Sequence, residues 1–431
     1  MCNAHTHNYD VLILGGGPAG IAAASAAAAP HTSVAIVDEN PTLGGQIWRN
    51  SFAADVSDPA AHWYQRIQHS PITRLHDLRV FHAPSPGTLQ AEAGNGLHTL
   101  HYKKLILATG ARERFLPFPG WTLPNIMGAG ALQNMVKSGL PITGKRIVIA
   151  GSGPLLIVVA AYLKKHHARV ICICEQAPLR QLLPFAKGVI TNTEKLSQAL
   201  QYRLQLLTVP YRAGWWPAIA RGQSQLETIT VTDGARRYII PCDYLACGFH
   251  LVPNIELPSL LGCSQSNGFV KVDTTQQTSI PGIYAAGEIT GIGGLEKSIL
   301  EGTIAGYSAT GQSTAAQQLS AARSKSLRFA SAMQRAFALR PELRRLPAPS
   351  TLVCRCEDVP HSHLVSHSSW RSAKLHTRCG MGSCQGRVCG TATEFLYGWP
   401  SESVRPPILP VRLQTLAQAE DPASQELSTA I

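Results

Sequence analysis

The chain has 431 residues, a formal net charge of +12, a hydrophobic fraction of 45% and eleven cysteines. Its length exceeds one ordinary hydrophobic core and predicts two or three domains. Aromatic residues are not interleaved with the basic ones, which argues against nucleic-acid binding. The polar start at 1–8 lacks signal-peptide features, and glycines and a proline interrupt the apolar stretch at 11–29. We therefore expect a cytoplasmic protein with no transmembrane segment.

The first predicted element is a strand, a glycine-rich turn and a helix at the N-terminus. An apolar strand at 11–14 leads into G-x-G-x-x-G, a helix at 18–29 and a second strand at 34–37. In this arrangement the helix N-terminus points free N–H groups at a pyrophosphate, and an acid after the second strand binds a ribose. The predicted nucleotide-binding residues are Gly15, Gly17, Pro18, Ala19 and Gly20, with Asp38 as the acid or Glu39 if the register slips by one.

A second, similar element follows farther along the chain. After a poorly periodic stretch at 44–100, a short buried strand at 105–108 ends at Thr109 and Gly110. Prolines then precede a strand at 146–150, a turn, a helix at 155–165 and a strand at 170–174. A return strand near 244–248 leads back into the first domain, where Gly287 precedes a helix at 295–310. The sequence therefore predicts an internal duplication of the nucleotide-binding element.

The second glycine turn is the weaker pattern of the two. It keeps Gly151 and Gly153, but Leu156 stands where close helix–strand packing favours Gly or Ala. Glu175 follows the second strand, where an acid binds the ribose 2′-hydroxyl and disfavours a 2′-phosphate, hence NADP. Three interpretations stay open: an NAD site, a site for another adenine nucleotide, or a structural relic.

Cysteines crowd into a short region near the C-terminus. A helix is predicted at 321–339 and is followed by a proline-rich linker. Five of the eleven cysteines then lie between Cys354 and Cys389. In a cytosolic chain, such crowding indicates metal or redox chemistry rather than structural disulfides.

Three runs resemble the flavoproteins with two dinucleotide-binding domains, which share the fold of thioredoxin reductase: Gly44-Gly-Gln-Ile47, Ala108-Thr-Gly110 and Tyr284-Ala-Ala-Gly-Glu288. The resemblance implies FAD in the first domain, although the family more often has Asp at the position of Glu288. Neither the redox-active C-x-x-C of thioredoxin reductase nor the C-x4-C of its glutathione-reductase relatives is present where the family has it, so disulfide reductase chemistry is excluded. The implied FAD contacts are Gly44, Gly45 and Gln46 at the isoalloxazine, Gly287 and Glu288 at the ribityl–pyrophosphate, and Thr109 and Gly110.

The cysteine-rich region resembles the small iron–sulfur module named after bacterioferritin-associated ferredoxin. The matching version is fused to the opine oxidase subunit designated A, to the hydrogen cyanide synthase flavin subunit, and to proline or hydroxyproline dehydrogenase α subunits. Since a [2Fe-2S] cluster needs four thiolates, the ligands implied are Cys354, Cys356, Cys384 and Cys389, with Cys379 as a fifth candidate in place of Cys384 or Cys389. A redox-silent zinc site with four cysteine ligands is the main rival.

The predicted fold class is α/β, with two Rossmann-like dinucleotide-binding domains, the second inserted in the first, and a small C-terminal iron–sulfur domain. We expect the end of the C-terminal tail to be mobile. The predicted bounds are 1–116 and 251–315 for the FAD-binding domain, 117–250 for the second nucleotide-binding domain, 316–350 for a helix and linker, 351–400 for the [2Fe-2S] domain, and 401–431 for the tail.

The resemblance implies one subunit of a hetero-oligomeric dehydrogenase or oxidase for an amine, imino acid or opine-type small molecule. A second flavin-containing subunit would oxidise the substrate, a small ferredoxin-like subunit is a further expected partner, and FMN is a further cofactor at a subunit interface. The sequence shows no catalytic acid–base pair near the flavin motifs, which fits electron relay. Two alternatives stay open: an NADH-dependent reductase using the second nucleotide site, and a non-catalytic scaffold with structural zinc.

Overall fold

The structure is a computed structural model that describes residues 5–49, 59–190, 193–400 and 404–419. The chain divides into two compact units. The first comprises 1–111, 253–330 and 403–431, and the second comprises 112–252 and 331–402. Within the described ranges, no helix combines the length and the apolar character needed to cross a membrane.

Both units contain strands and helices, with runs of consecutive strands at 72–128 and 211–253. The strands are β1 (His5–Leu14), β2 (Val34–Val37), β3 (Ile72–Leu75), β4 (Arg79–Ser85), β5 (Thr88–Ala93), β6 (Gly96–Leu107), β7 (Ala111–Glu113), β8 (Ile126–Gly128), β9 (Arg146–Ser152), β10 (Arg169–Glu175), β11 (Tyr211–Ala213), β12 (Trp216–Arg221), β13 (Thr228–Thr232), β14 (Arg237–Pro241), β15 (Tyr244–Phe249), β16 (Leu251–Pro253), β17 (Gln265–Ser266), β18 (Phe269–Val270), β19 (Ile283–Ala285), β20 (Leu352–Cys354) and β21 (Val359–Pro360).

The helices are α1 (Pro18–Ala27), α2 (Pro59–Gln68), α3 (Ala129–Lys137), α4 (Leu155–Lys165), α5 (Leu179–Ile190), α6 (Thr193–Gln205), α7 (Glu256–Leu260), α8 (Gly294–Ala309), α9 (Ser313–Gln318), α10 (Ser320–Ala336), α11 (His361–Leu364), α12 (Trp370–Thr377), α13 (Cys389–Tyr397) and α14 (Leu413–Gln418). Short 3-10 helices cover Gly287–Thr290 and Pro341–Arg345.

The first unit is built on a seven-stranded sheet in the order β3-β2-β1-β6-β5-β4, with β19 also paired to β6. The pairs β1–β2, β1–β6, β2–β3 and β6–β19 are parallel. Every residue of β2 is buried, as expected for a parallel strand covered on both faces. The carboxyl ends of these strands form the edge where the first glycine turn lies, which is where this fold class binds nucleotides.

Helices α1 and α8 pack with their backbones in close approach. A Cβ on Gly302 would lie 2.1 Å from the carbonyl oxygen of Ala19, and one on Gly306 would lie 2.3 Å from that of Ala23. Only glycine fits at these positions, since real Cβ atoms do not approach a carbonyl oxygen this closely. This packing holds the start of α8 beside the first glycine turn.

The second unit contains a five-stranded parallel sheet, β11-β10-β9-β15-β8, and an antiparallel sheet, β12-β13-β14. The cysteine-rich region, predicted as a separate domain, belongs to this compact unit. It has a small core of its own that includes Val353, Leu364, Ala373 and Trp399. The α/β class predicted from the sequence is confirmed.

Some predicted elements agree closely with the structure, and others were not foreseen. Strand β2 and helix α4 have the predicted bounds. The stretch at 44–100, left without elements by the sequence analysis, contains α2 and β3 to β6. These strands mix polar and apolar residues on both faces, so they lack a clear two-residue period.

Residues 404–419, in the region predicted as a tail, contact the first unit. Arg412 donates to Glu92 Oε1 from its backbone N–H at 3.0 Å and from Nε at 2.9 Å. Thr415 donates to the same oxygen at 2.7 Å, and Ile408 is buried in the core of the first unit. Residues 404–419 therefore belong to the first unit. The mobility predicted for the last stretch concerns residues 420–431, which lie outside the described residues.

Three histidine rings stack where β1 and β6 pair. The His98 ring centroid lies 4.6 Å from that of His5 and 5.3 Å from that of His7. His7 Nε2 is 3.1 Å from His98 Nδ1, and Asn95 Oδ1 is 2.9 Å from His98 Nε2. Burial, together with the neighbouring His5 and His7, lowers the pKa of His98 to about 4.

We expect this histidine stack to make the protein less stable in mild acid. The unfolded chain takes up the His98 proton near its ordinary pKa of about 6.5, whereas the folded chain does so only near pH 4. The folded state therefore binds fewer protons between these values, so the free energy of unfolding falls as the pH decreases from about 6.5 to about 4. Urea unfolding of wild type and His98→Phe across this range measures the difference. His62→Phe, which changes an exposed histidine on α2, serves as the control. If the free energy of unfolding of wild type and of His98→Phe depends on pH in the same way, the prediction is wrong.

Candidate functional site

The first glycine turn lies between β1 and α1. A Cβ on Gly20 would lie 1.8 Å from the carbonyl oxygen of Gly15, so helix and turn touch there. A Cβ on Gly17 would meet only the Cα of Gly45, at 4.0 Å, which leaves that side of the turn open. Pro18 begins α1, and among the described residues no side chain caps its first turn. The turn therefore offers backbone N–H groups to an anion such as a pyrophosphate.

The acid expected after β2 contacts the turn directly. The Asp38 Oδ2 atom accepts a hydrogen bond from the Gly16 N–H at 2.5 Å, and its Oδ1 accepts one from the Asn40 N–H at 2.8 Å. Asp38 is buried, whereas Glu39 is exposed. The structure thus brings Asp38, rather than Glu39, to the edge of the turn.

The run predicted to approach the isoalloxazine folds back on the same turn. The Gly44 N–H donates to the carbonyl oxygen of Gly16 at 2.7 Å. A Cβ on Gly45 would lie 3.0 Å from the Cα of Gly17, so the close approach requires a residue without one. Gln46 is exposed next to this contact. Gly44 and Gly45 have positive φ angles, of +116° and +56°, and this backbone conformation also favours glycine.

Thr109 and Gly110 are tied to a residue that the sequence analysis missed. Thr109 Oγ1 donates to the Asn254 carbonyl oxygen at 2.8 Å, and Asn254 Nδ2 donates to the Thr109 carbonyl oxygen at 2.8 Å. The Asn254 N–H also donates to the carbonyl oxygen of Gly110 at 3.0 Å. A lone asparagine carries no sequence signal for this reciprocal pairing across 145 residues.

Glu288, predicted to contact the ribityl–pyrophosphate, has partners in its own loop. Its carboxylate accepts hydrogen bonds from the N–H groups of Gly293, at 3.2 Å, and Gly294, at 2.9 Å. It therefore satisfies donors at the start of α8. Burial raises the pKa of Glu288. Gly287 lies against α1, since a Cβ there would be 2.9 Å from that of Ala19.

A buried ion pair, also missed in the sequence, fixes the backbone at Gly287. Lys297 and Glu301 on α8 are 1% and 0% exposed, and their Nζ and Oε2 atoms are 2.6 Å apart. Lys297 donates to the carbonyl oxygen of Gly287 at 2.9 Å, and Glu301 accepts from the Gly287 N–H at 3.1 Å. Arg323 Nε lies 3.5 Å from Glu301 Oε1. In sequence the pair has only the i, i+4 spacing of an ordinary surface pair.

The second glycine turn repeats the contact between acid and turn. The Glu175 carboxylate accepts hydrogen bonds from the N–H groups of Gly153, at 2.7 Å, and Ala177, at 2.8 Å. Glu175 is completely buried, which raises its pKa to about 7. A Cβ on Gly151 would lie 1.8 Å from the carbonyl oxygen of Gly248, so that glycine is required for packing.

The C-terminal cysteines converge in the second unit. The sulfur atoms of Cys354, Cys379 and Cys389 all lie within 4.8 Å of one another and could hold a metal ion. Cys384 contacts the thiols of Cys389 and Cys356. Hydrogen bonds from Cys389 and other neighbours lower the pKa of Cys384 to about 5. Once deprotonated, these converging cysteines are ligands of the kind that iron or zinc binds.

The sequence assigned Cys354, Cys356, Cys384 and Cys389 as ligands, and that set of four stays a prediction. Cys379, the alternative ligand, belongs to the tight group of three, whereas Cys356 is the exposed member. The loop around these cysteines is shaped by glycine contacts with the Trp370 indole. A Cβ on Gly380 would lie 2.5 Å from this ring.

The amino-acid sequence of this chain is similar to those of several known proteins. Residues 9–318 match the profile of the pyridine nucleotide-disulphide oxidoreductases. The chain is 30% identical to hydrogen cyanide synthase subunit HcnB of Pseudomonas protegens, over 88% of this chain and 89% of that protein. It is 28% identical to the opine oxidase subunit designated A of Rhizobium meliloti, over 96% of this chain and 99% of that protein.

Two solved structures have a similar fold. L-proline dehydrogenase from P. horikoshii superposes with a TM-score of 0.70 at 18% identity, covering 96% of this chain and 80% of that one. T. acidophilum thioredoxin reductase superposes with a TM-score of 0.56 at 20% identity, covering 71% of this chain and 99% of that one. The profile match spans both glycine turns and implies FAD. The chain therefore belongs to the pyridine nucleotide-disulphide oxidoreductase family.

Proposed function

We propose that this chain is the FAD- and [2Fe-2S]-containing subunit of a multi-subunit dehydrogenase or oxidase that acts on a carbon–nitrogen bond. The observation that carries the proposal is the convergence of the Cys354, Cys379 and Cys389 thiols, with Cys384 next to Cys389, in a chain that also has an open glycine turn of flavoprotein type. Two relatives are named as subunits, of opine oxidase and of hydrogen cyanide synthase. The substrate class we propose is an amine, imino acid or opine-type small molecule.

The residues around the first turn would hold FAD. The open face at Gly17 and the N-terminus of α1 suit a pyrophosphate, and Asp38, beside the turn, would accept hydrogen bonds from ribose hydroxyls. When bound, FAD accepts a hydride, and an iron–sulfur cluster transfers one electron at a time. The C-terminal thiols would hold the cluster. Glu288 and the Lys297–Glu301 pair would fix the loop at Gly287.

We further propose that a second flavin-containing subunit oxidises the substrate. This chain would then relay electrons, in a cytoplasmic hetero-oligomer that also includes a small ferredoxin-like subunit, with FMN at a subunit interface. Given this division of labour, the chain alone should not reduce a dye when supplied with proline, hydroxyproline, glycine or an opine. Dye reduction should require the partner subunit.

The first test is an absorption spectrum of the purified chain, with flavin, iron and zinc quantified in the same sample. We expect flavin bands, broad iron–sulfur absorption and about two irons per chain. Flavin with zinc and no iron would remove the cluster from the electron path. A folded sample with neither flavin nor iron would overturn the relay proposal in favour of a scaffold subunit.

A further inference from the structure

Three strand ends outline the crevice of the second dinucleotide-binding element. Ser152 ends β9, Gln176 directly follows β10, and His250 directly follows β15. These strands are neighbours in the parallel sheet, in the order β10-β9-β15. In this fold class a dinucleotide lies across the carboxyl ends of these strands, beside the glycine turn.

One carbonyl oxygen of the same chain lies at all three strand ends. The carbonyl oxygen of Phe337 is 2.8 Å from Ser152 Oγ, 2.5 Å from His250 Nε2 and 3.4 Å from Gln176 Nε2. Phe337 follows α10 and is only 5% exposed. Its ring packs edge-on against Phe185 at 5.5 Å. The place of a ligand in this crevice is therefore taken by residues of the protein.

Gln176 binds the segment that follows Phe337, named here the crevice segment (337–340). Its Nε2 donates to the carbonyl oxygen of Ala338 at 3.2 Å, and its Oε1 accepts from the Arg340 N–H at 3.1 Å. Gln176 is completely buried. The Arg340 guanidinium lies over the Trp216 ring, 4.4 Å from its centroid. The buried side-chain amide of Gln176 is thus paired with the crevice segment.

The acid of the second element is completely enclosed by the protein. Glu175 is 0% exposed, and its oxygens accept from the backbone N–H groups of Gly153 and Ala177.

The crevice segment leads directly into the cysteine-rich region. Leu343, three residues beyond it, is completely buried in the core that contains Trp216 and Phe249. Trp121 Nε1 then donates to the carbonyl oxygen of Leu352 at 2.6 Å, just before Cys354. Contacts of the second element therefore continue from the crevice to the first cysteine of the cluster.

We propose that the crevice of the second element binds the crevice segment instead of NAD or another adenine nucleotide, and that this contact anchors the cysteine-rich region. The former nucleotide site is a docking site for the protein's own chain. Electrons then do not enter this protein from NADH at that site. The proposal does not depend on the identity of the substrate or of the metal.

The first experiment titrates NADH into the purified full chain and follows the fluorescence of NADH. We expect no saturable change up to about 1 mM, a concentration at which even weak specific binding is visible. ADP-ribose, followed by calorimetry, should likewise give no binding heat. Saturable binding of NADH or ADP-ribose that His250→Phe or Ser152→Ala alters at least tenfold would overturn the proposal. Neither outcome affects the iron and flavin content that tests the proposed function.

The second experiment measures hydrogen–deuterium exchange of the peptide that covers the crevice segment. In Gln176→Ala the N–H of Arg340 loses its acceptor, so we expect exchange of this peptide to be about tenfold faster. Gln317→Ala, which changes an exposed glutamine, is the matched control, and we expect it to leave the exchange of this peptide unchanged. Ser152→Ala, which removes one donor to Phe337, serves as the milder variant if Gln176→Ala is poorly folded. Unchanged protection in both crevice variants would contradict the anchoring role.

Discussion

Replacing Lys297 by methionine is expected to lower the free energy of unfolding by about 3–5 kcal/mol, because it leaves the Glu301 carboxylate buried without its closest cation. Glu301 is 0% exposed, and its remaining cation, Arg323, is farther away at 3.5 Å, compared with 2.6 Å for Lys297. The change also removes the hydrogen bond from Lys297 to the carbonyl oxygen of Gly287. We therefore expect the variant to retain less FAD than the wild type.

Urea unfolding of wild type and Lys297→Met measures this effect. Lys325→Met changes an exposed lysine on α10 in the same unit, and we expect it to stay within about 0.5 kcal/mol of the wild type. Lys297→Met combined with Glu301→Leu should recover part of the loss, since no unpaired charge then stays buried. If the free energy of unfolding of Lys297→Met alone lies within about 1 kcal/mol of that of the wild type, the ion pair does not stabilise the protein as predicted.

Replacing Cys389 by serine is expected to abolish metal binding by the C-terminal cysteines. Its sulfur lies within 4.8 Å of those of Cys354 and Cys379, and Cys384 contacts it as well. Iron and zinc content, measured with the visible spectrum, should fall to the background level.

Cys263→Ser is the matched control, because Cys263 is also buried but contacts Thr278 in the first unit. It should leave the metal content unchanged. Two further variants separate the ligand sets. If Cys354, Cys356, Cys384 and Cys389 bind the metal, then Cys356→Ser loses it and Cys379→Ser keeps it. The reverse result would replace Cys356 by Cys379, and full metal content in Cys389→Ser would show that Cys389 is not a ligand.

Local patterns predicted much of the fold. Strand β2 is an uninterrupted apolar run, and helix α4 follows a glycine turn, so both could be located from the sequence to the residue. The glycine positions were equally informative. Gly20 and Gly151 lie so close to backbone atoms that no other residue fits. Such constraints act between neighbouring elements and leave a signature in sequence spacing.

Contacts between distant residues were not predictable in the same way. Gln176 and Phe337 are 161 residues apart, and Ser152 and Phe337 are 185 apart. The acceptor is a backbone carbonyl oxygen, which any residue provides, so no residue type marks the partner. Lys297 and Glu301 likewise have the spacing of a solvent-exposed pair, and only the packing of α8 makes them buried. The cysteine cluster was foreseen from crowding, but which thiols meet depends on the loop around Trp370.

The division of the first unit into three chain segments has a consequence for its synthesis. When the ribosome has made residues 1–111, the alanine-rich face of α1 has no covering helix, because Gly302 and Gly306 belong to α8. The carboxylate of Glu92 likewise cannot accept its hydrogen bonds from Arg412 and Thr415 until these residues are translated, more than 300 residues later. The earliest part of the nascent chain therefore reaches its final packing only near the end of translation, so it has to be kept from aggregation for most of that time.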